Sequence, residues 1–199
     1  MPILTRIYTP DNFGFLAIYL AVVGIISTIS SGKYELAIIL PKKKNEALNL
    51  LSLSLFLNIF IFIFNILLYI FLKIYFGSQI SLIFLFIPFG IMIESLILTF
   101  NNYNLREKNF SYLSKSKILR SATVGSFQIL FFYLGYIDLG LIFGILIGIS
   151  LTLYYLILPF KTIFNEIFNK VNKDSLMMVA KKYINFPKYQ AVSTFINAL

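Results

Sequence analysis

The sequence predicts an all-α fold, a polytopic bundle of helices that crosses a lipid bilayer several times. Of its 199 residues, 59% are hydrophobic and only 13% are charged, whereas a soluble domain carries about 25% charge. Mean hydropathy is +0.85, and the apolar residues are gathered into long runs. A soluble domain of this size could not bury so much apolar surface. Lipid is therefore the predicted solvent.

Five runs are predicted to span the membrane, because about 20 helical residues cross a hydrocarbon core of ~30 Å at ~1.5 Å per residue. The first follows Thr9 and Pro10, where Thr9 can cap a helix and Pro10 can stand in its first turn. The spans form one predicted bundle within residues 1–160. Their predicted bounds are 13–31, 47–76, 80–100, 113–137 and 139–160.

The remaining segments are too short or too polar to span. Between Gly32 and Pro41 we expect a short turn of helix in the interface. Residues 161–184 carry apolar side chains at helical spacing opposite polar ones, which predicts an amphipathic linker helix on the cytoplasmic surface, its lysines near anionic headgroups. An ordinary soluble linker helix is the alternative. Residues 185–199 are predicted to start a further, truncated span.

The predicted orientation rests on the positive charges. Fifteen of the 17 Lys and Arg residues fall in connections on one side of the predicted spans, which marks the cytoplasmic side. Residues 1–11 are then outside, with no cleavable signal ahead of them. We therefore expect the chain to be a segment of a longer protein, cut at both ends.

Composition excludes several classes of function. The chain has no Cys, His or Trp, which excludes disulfides, Cys or His metal sites and nucleophile schemes that need His or Cys. No metal and no cofactor is predicted. A net charge of +9 could suggest nucleic acid, but the charges lie in membrane loops rather than on one basic face. A membrane enzyme is disfavoured because the acids are isolated from one another.

Glu94 is the one acid inside a predicted span, where an ionised group costs at least ~2.5–3.5 kcal/mol and needs a polar partner. We predict that it pairs with Arg120, or that the two line the cytoplasmic half of a hydrated cavity, about six residues or ~9 Å from the helix end. Arg suits a lipid pyrophosphate. The alternative is a protonated Glu94 and an Arg120 that extends to headgroups.

Three further polar residues complete the predicted substrate pathway. Gln128, deep in the fourth span, could bind sugar hydroxyls or bridge helices, and bridging is favoured. Asn58 and Asn65 lie seven residues apart on one face of the second span. Asparagine side chains are unfavourable against lipid, so this face of the helix contacts either a neighbouring helix or a water-filled cavity.

Small residues and a proline mark packing or hinge positions. Gly140, Gly144 and Gly148 repeat every four residues on the fifth span, which predicts close approach of a neighbouring helix. Pro88 with Gly90 is expected to break the hydrogen-bond ladder of the third span, either as a static kink or as a hinge.

Several segments resemble, in order and spacing, the polysaccharide and O-antigen flippases of the multidrug/oligosaccharidyl-lipid/polysaccharide exporter superfamily. They are spread along the chain, so that the resemblance extends over nearly its whole length. They are residues 4–14 (LTRIYTPDNFG), 34–41 (YELAIILP), 106–110 (REKNF), 114–121, 186–189 (FPKY) and 197–199 (NAL). The resemblance implies two six-helix bundles around a cavity that opens alternately to each side. Our five spans would be helices two to six, with the first helix and the second bundle absent.

The resemblance also implies a function, which is flipping of a polyprenyl-pyrophosphate-linked oligosaccharide across a bacterial inner membrane during O-antigen or lipopolysaccharide synthesis. The implied partners are membrane lipids and either the missing second bundle or another copy of the chain. The alternatives are half of a multidrug-type, cation-coupled exporter, or an inactive truncated membrane protein. The sugar repeat and the coupling ion stay open.

Overall fold

The structure, a computed structural model, describes residues 4–77, 82–137, 139–160 and 163–198. Within these ranges the secondary structure is helical and includes no strand. The predicted all-α membrane bundle is confirmed. The α-helices are α1 (Leu4–Ile7), α2 (Pro10–Ile29), α3 (Tyr34–Ala37), α4 (Lys44–Phe76), α5 (Phe86–Arg106), α6 (Phe110–Tyr133), α7 (Gly140–Ile157), α8 (Ile163–Lys170), α9 (Lys173–Lys182) and α10 (Val192–Ala198).

Three helices in the described ranges are long and apolar enough to cross a membrane by length and composition: α2, α4, and α7 with its 3-10 extension to Phe160. The 21 residues of α5 and the 24 residues of α6 are long enough, but their polar and charged side chains lower their hydropathy. Membrane crossing by these two helices stays a prediction, and so does the number of five spans.

The first long helix begins where the sequence predicts a cap. The backbone N–H of Asn12 donates to Thr9 Oγ1 over 3.4 Å, and the backbone N–H of Thr9 donates to Asn12 Oδ1 over 3.1 Å. Each side chain thus satisfies a backbone donor that the helix leaves without a partner. Pro10 occupies the first helical position, where its missing N–H costs nothing.

Helix α5 is the centre of the bundle and packs against α2, α4 and α7, while α6 packs along α7. The core between them includes Tyr19, Ile91, Phe100 and Ile142, all at most 2% exposed. The outer face of α4 is apolar and open, with Phe60 and Phe71 among its side chains that are more than half exposed. Such a face suits hydrocarbon, since soluble monomers rarely leave large apolar patches in water.

The predicted short turn of helix between Gly32 and Pro41 is present as α3, which packs against α4 and α5. Its place in the membrane interface stays a prediction. Ala37 and Ile38 are fully buried and Tyr34 is 6% exposed. The chain reverses into α3 through positive φ angles of 59° at Gly32 and 62° at Lys33, a region that non-glycine residues seldom adopt.

Burying α3 also buries the Glu35 carboxyl, which is 2% exposed. Its Oε2 accepts a hydrogen bond from the Ser31 hydroxyl, and its Oε1 lies 4.0 Å from Lys33 Nζ. Desolvation by burial is the strongest influence on this group and raises its pKa above the ordinary 4.5, against the opposing effects of Ser31, the Glu35 backbone and Lys33. The folded protein therefore holds this proton to a higher pH than the unfolded chain does.

We expect this proton to make stability pH-dependent. The contribution of Glu35 is fully present below pH 4.5 and is lost as the pH rises through its raised folded-state pKa, because the folded state binds more protons in that interval. Glu35→Gln should remove this part of the slope of thermal stability against pH, measured in detergent. Ser31→Ala removes a hydrogen bond to the charged form and should extend the slope to higher pH. An unchanged slope in Glu35→Gln would contradict this assignment.

The predicted linker, residues 161–184, forms two helices where it is described, and residues 161 and 162 lie outside the described ranges. Helix α8 ends at Lys170, and Asn172 caps α9, accepting a hydrogen bond from the backbone N–H of Ser175 over 2.9 Å. Both helices pack against the start of α4. Residues 185–199 were predicted to start another span; within them Val192–Ala198 forms α10, which packs against α2, and Leu199 lies outside the described ranges.

Candidate functional site

The most unusual contact in the bundle is an ion pair between α5 and α6. Arg120 donates from both terminal nitrogens of its guanidinium to the two carboxylate oxygens of Glu94, each over 2.9 Å. The side chains are 39% and 21% exposed, respectively. The contact that the sequence predicts is therefore present, in the two-pronged geometry that makes Arg–carboxylate pairs strong.

The pair lies further from the helix ends than the sequence predicted. Helix α5 continues to Arg106, so Glu94 stands twelve residues, or ~18 Å, before its end. Arg120 stands ten residues, or ~15 Å, after Phe110 at the start of α6. The predicted ~9 Å from Glu94 to the helix end is therefore too short, and the pair lies near the middle of both helices. Its place in the cytoplasmic half of the membrane stays a prediction.

The error has a physical cause in Asn104. Polar residues after Phe100 end the hydrophobic run, so hydropathy alone places the helix end there. In the structure Asn104 is fully buried. Its side-chain amide donates to the carbonyl oxygens of Phe100 over 2.9 Å and of Leu156 over 3.1 Å. Because the neighbouring α7 supplies an acceptor, the polar residue stays in the bundle and the helix continues past it.

Helix α6 exposes a polar face beside the pair. Ser114, Lys117 and Ser121 are exposed and follow one another at spacings of three and four residues, next to Arg120. Ile118, 71% exposed, is the apolar side chain among them. The exposed faces of α2 and α4 are instead apolar, with side chains such as Phe15, Ile18 and Phe60. Since polar side chains in membranes face protein or water rather than lipid, this polar face of α6 marks the candidate wet surface.

A tyrosine that the sequence analysis did not single out lies close to this site. Tyr19 of α2 is 2% exposed, and its hydroxyl is buried without a hydrogen-bond partner. A Cβ added at Gly90 would stand 2.1 Å from Tyr19 Oη, so Gly90 makes room for the phenol. Gly90 and Glu94 are one helical turn apart on α5, which places the phenol beside the ion pair. The sequence feature that could have indicated this contact is Gly90, one helical turn before Glu94, the only acid of the span.

The proline near Gly90 does not interrupt a helix. Residues Leu82–Leu85 form a 3-10 turn, and α5 begins as an α-helix at Phe86. Pro88 therefore lies in the first turn of α5, where a missing N–H leaves no internal hydrogen bond broken. The break that the sequence predicts within the third span therefore lies at its start. Gly90 does not break the helix but packs against Tyr19.

The two asparagines of α4 have different surroundings. Asn58 is 1% exposed; its Oδ1 accepts from the Ser95 hydroxyl, and its amide donates to Thr99 Oγ1 over 3.4 Å. It therefore bridges α4 to α5. Asn65 donates to the Ile61 carbonyl over 2.8 Å and lines a cavity of about 300 Å³ between α2, α4 and the start of α5. Ser95 and Thr99 were missed, although two hydroxyls four residues apart in an apolar helix mark one face.

Gln128 bridges helices, the role that the sequence favoured. Its amide donates to the Leu141 carbonyl of α7 over 3.1 Å, and its backbone carbonyl accepts from Tyr8 Oη over 2.7 Å. The glycines of α7 make this proximity possible. A Cβ at Gly140 would stand 2.5 Å from Tyr8 Oη, and one at Gly144 would stand 2.7 Å from the backbone nitrogen of Gln128.

The third glycine of this series repeats the arrangement one turn further along. A Cβ at Gly148 would stand 2.8 Å from the backbone nitrogen of Val124. The close helix approach that the four-residue spacing predicts is thus present between α6 and α7, and it fixes the helix that carries Arg120.

Fold and site together define a polytopic helical membrane protein with an accessible ion pair between two of its helices. Over residues 3–199 the chain matches the family described as polysaccharide biosynthesis protein. The protein belongs to this family, and the predicted kinship with polysaccharide flippase-type proteins is confirmed at that level. Neither a curated protein nor a solved structure matches the chain. Family and fold place it in polysaccharide biosynthesis or export at a membrane.

Proposed function

We propose that the protein moves a lipid-linked oligosaccharide across the bacterial inner membrane during cell-surface polysaccharide biosynthesis. The observation that carries this proposal is the Arg120 guanidinium, 39% exposed near the middle of α6 and held by both oxygens of Glu94. A cation at membrane depth is costly and usually functional. The donor fork that fits a carboxylate also fits phosphate oxygens, and the proposed substrate carries a pyrophosphate.

In this mechanism Glu94 is the ion-pair partner of Arg120 in the empty site, and the substrate replaces Glu94 as that partner. A pyrophosphate that reaches the guanidinium replaces the carboxylate oxygens with its own, so the fork needs little rearrangement. The exposed Ser114 and Ser121 hydroxyls on the same helix offer hydrogen bonds to the sugar part. Movement between the two sides then requires rocking against a second bundle or a second copy of the chain.

The second candidate is half of a multidrug-type, cation-coupled exporter. It is favoured by the acidic partner of the same pair, since the Glu94 side chain is 21% exposed. A carboxylate at membrane depth suits a cationic ligand. The two candidates therefore differ in which partner of the ion pair the substrate contacts.

Complementation separates the candidates. The full-length gene, expressed in a strain blocked in export of lipid-linked oligosaccharide, is expected to restore surface polysaccharide, measured by gel analysis of extracted polysaccharide. Accumulation of a fluorescent cationic drug, measured in the same cells, should stay at the empty-vector level. Reduced drug accumulation without restored polysaccharide would favour the exporter instead.

A further inference from the structure

Helix α9 presents two different faces. One face lies on the bundle: Val179 is 3% exposed, the Ala180 carbonyl accepts from Tyr34 Oη over 3.1 Å, and Ser175 Oγ lies 3.3 Å from Asn49 Oδ1. The other face exposes Met177 by 50% and Met178 by 69%. Met177 and Met178 therefore lie on the face of α9 that the described part of the bundle leaves uncovered.

The position of α9 along the bundle sets its depth. It contacts the first turns of α4, where Lys182 bonds to Glu46, and the apolar run of α4 begins immediately afterwards. Beyond α9, residues Phe186–Ala191 contact α3, and α10 contacts α2. Both α2 and α4 are apolar enough to span a membrane. The helix therefore lies at the level where two spans leave the hydrocarbon.

The charges around the methionines favour an anionic partner. Lys173 and Lys181 are exposed on the same helix, and Lys188 is exposed just beyond it. Asp174, one turn from Met177 and Met178, is exposed on the same face, which keeps a net positive charge. Glu46, the carboxylate nearest Lys182, already forms an ion pair with it. Lysines around an apolar patch at the membrane surface match anionic headgroups above an acyl region.

We propose that the exposed face of α9, formed by Lys173, Met177, Met178 and Lys181, binds anionic phospholipid headgroups of the adjacent leaflet. The methionines enter the headgroup region, and the lysines hold the phosphates. This surface lies apart from the Glu94–Arg120 pair, so it does not depend on the proposed substrate. Through this surface the linker binds the membrane, while the opposite face of α9 packs against the bundle.

The test uses the absence of cysteine from the sequence, which makes a single introduced thiol unique. Met178→Cys in the full chain, labelled with a bimane fluorophore, is reconstituted into vesicles of phosphatidylcholine alone or with phosphatidylglycerol. Quenching by a headgroup-nitroxide lipid should be at least about twofold greater with phosphatidylglycerol, and 1 M salt should remove the difference. Ser111→Cys is the control position, exposed at the start of α6 on the same end of the bundle.

Charge reversal completes the test. Lys173→Glu with Lys181→Glu should remove the phosphatidylglycerol effect at position 178. Lys108→Glu with Lys115→Glu makes the same change in net charge at other exposed sites and should leave the effect intact. Circular dichroism and size-exclusion profiles check that each variant is folded. Equal quenching in the two vesicle types, or an effect that survives Lys173→Glu with Lys181→Glu, would overturn the proposal.

Discussion

Arg120→Ala is expected to reduce polysaccharide export by about tenfold or more in complemented cells. In the proposed mechanism the variant loses two charge-assisted hydrogen bonds to the pyrophosphate. Each such bond contributes about 1.5–3 kcal/mol, and every 1.4 kcal/mol is a factor of about ten. Arg120→Lys keeps the charge but loses the donor fork, so we expect an intermediate rate. The measurement is the rate of appearance of surface polysaccharide, normalised to the amount of protein in the membrane.

Removing Arg120 alone also leaves Glu94 without its partner, so a loss of export could reflect misfolding. The double variant Glu94→Gln with Arg120→Gln removes both charges and leaves no unpaired ion at membrane depth. We expect it to restore the membrane level of the protein without restoring export. Lys115→Ala, an exposed lysine on the same helix, is the matched control and should export normally. Full export by the neutral double variant would remove Arg120 from the mechanism.

Gly144→Ala is expected to destabilise the bundle by about 1–3 kcal/mol, the usual range for overpacking a tight contact. The added Cβ would stand 2.5 Å from Gln128 Cγ, 2.7 Å from its backbone nitrogen and 2.9 Å from its Cα. Two of these atoms belong to the backbone of α6, so a side-chain rotation cannot relieve the contact and the helices must separate. Separation would also strain the hydrogen bond from Gln128 to the Leu141 carbonyl.

Gly125→Ala is the matched control, because Gly125 lies on α6 in the same helical hairpin and a Cβ there meets no atom within 4 Å. We expect it to be neutral or stabilising by about 0.5–1 kcal/mol, since alanine favours a helix over glycine. Thermal unfolding in detergent measures both variants, at about 2–4 °C per kcal/mol for a chain of this size. A drop in Tm for Gly125→Ala equal to that for Gly144→Ala would mean that the close approach is not the cause.

Local patterns predicted several contacts correctly. The four-residue spacing of the α7 glycines predicted close helix approach because glycine has no side chain to hold a neighbour away. Glu94 and Arg120 could be paired from sequence because isolated opposite charges in apolar runs need each other. The cap at Thr9 followed from short-range chemistry. Each prediction depended on one or two turns of helix or on a strong pairwise attraction.

Helix ends and burial were harder to predict, because they depend on what a neighbouring helix supplies. Asn104 lies buried inside the bundle, where the Leu156 carbonyl of α7 accepts its amide, and α5 continues past it to Arg106. Asn58 and Asn65 share a face of α4 in sequence, but Ser95 and Thr99 lie opposite the first, while a cavity adjoins the second. No pattern within α4 distinguishes these two surroundings.

The sequence by itself determined the solvent of this protein, its helical class, its family and the pairing of its two isolated charges. The solvent and the helical class follow from composition and periodicity, and the pairing from the need of isolated charges for a partner. The family follows from the resemblance of several segments in order and spacing. Only the tertiary structure decided the position of the ion pair along α5 and α6, the burial of α3 and Glu35, the place of Tyr19 against Gly90, and the packing of α9 on α4. Each of these depends on atoms of two helices far apart in sequence, whose contact geometry is set by side-chain packing.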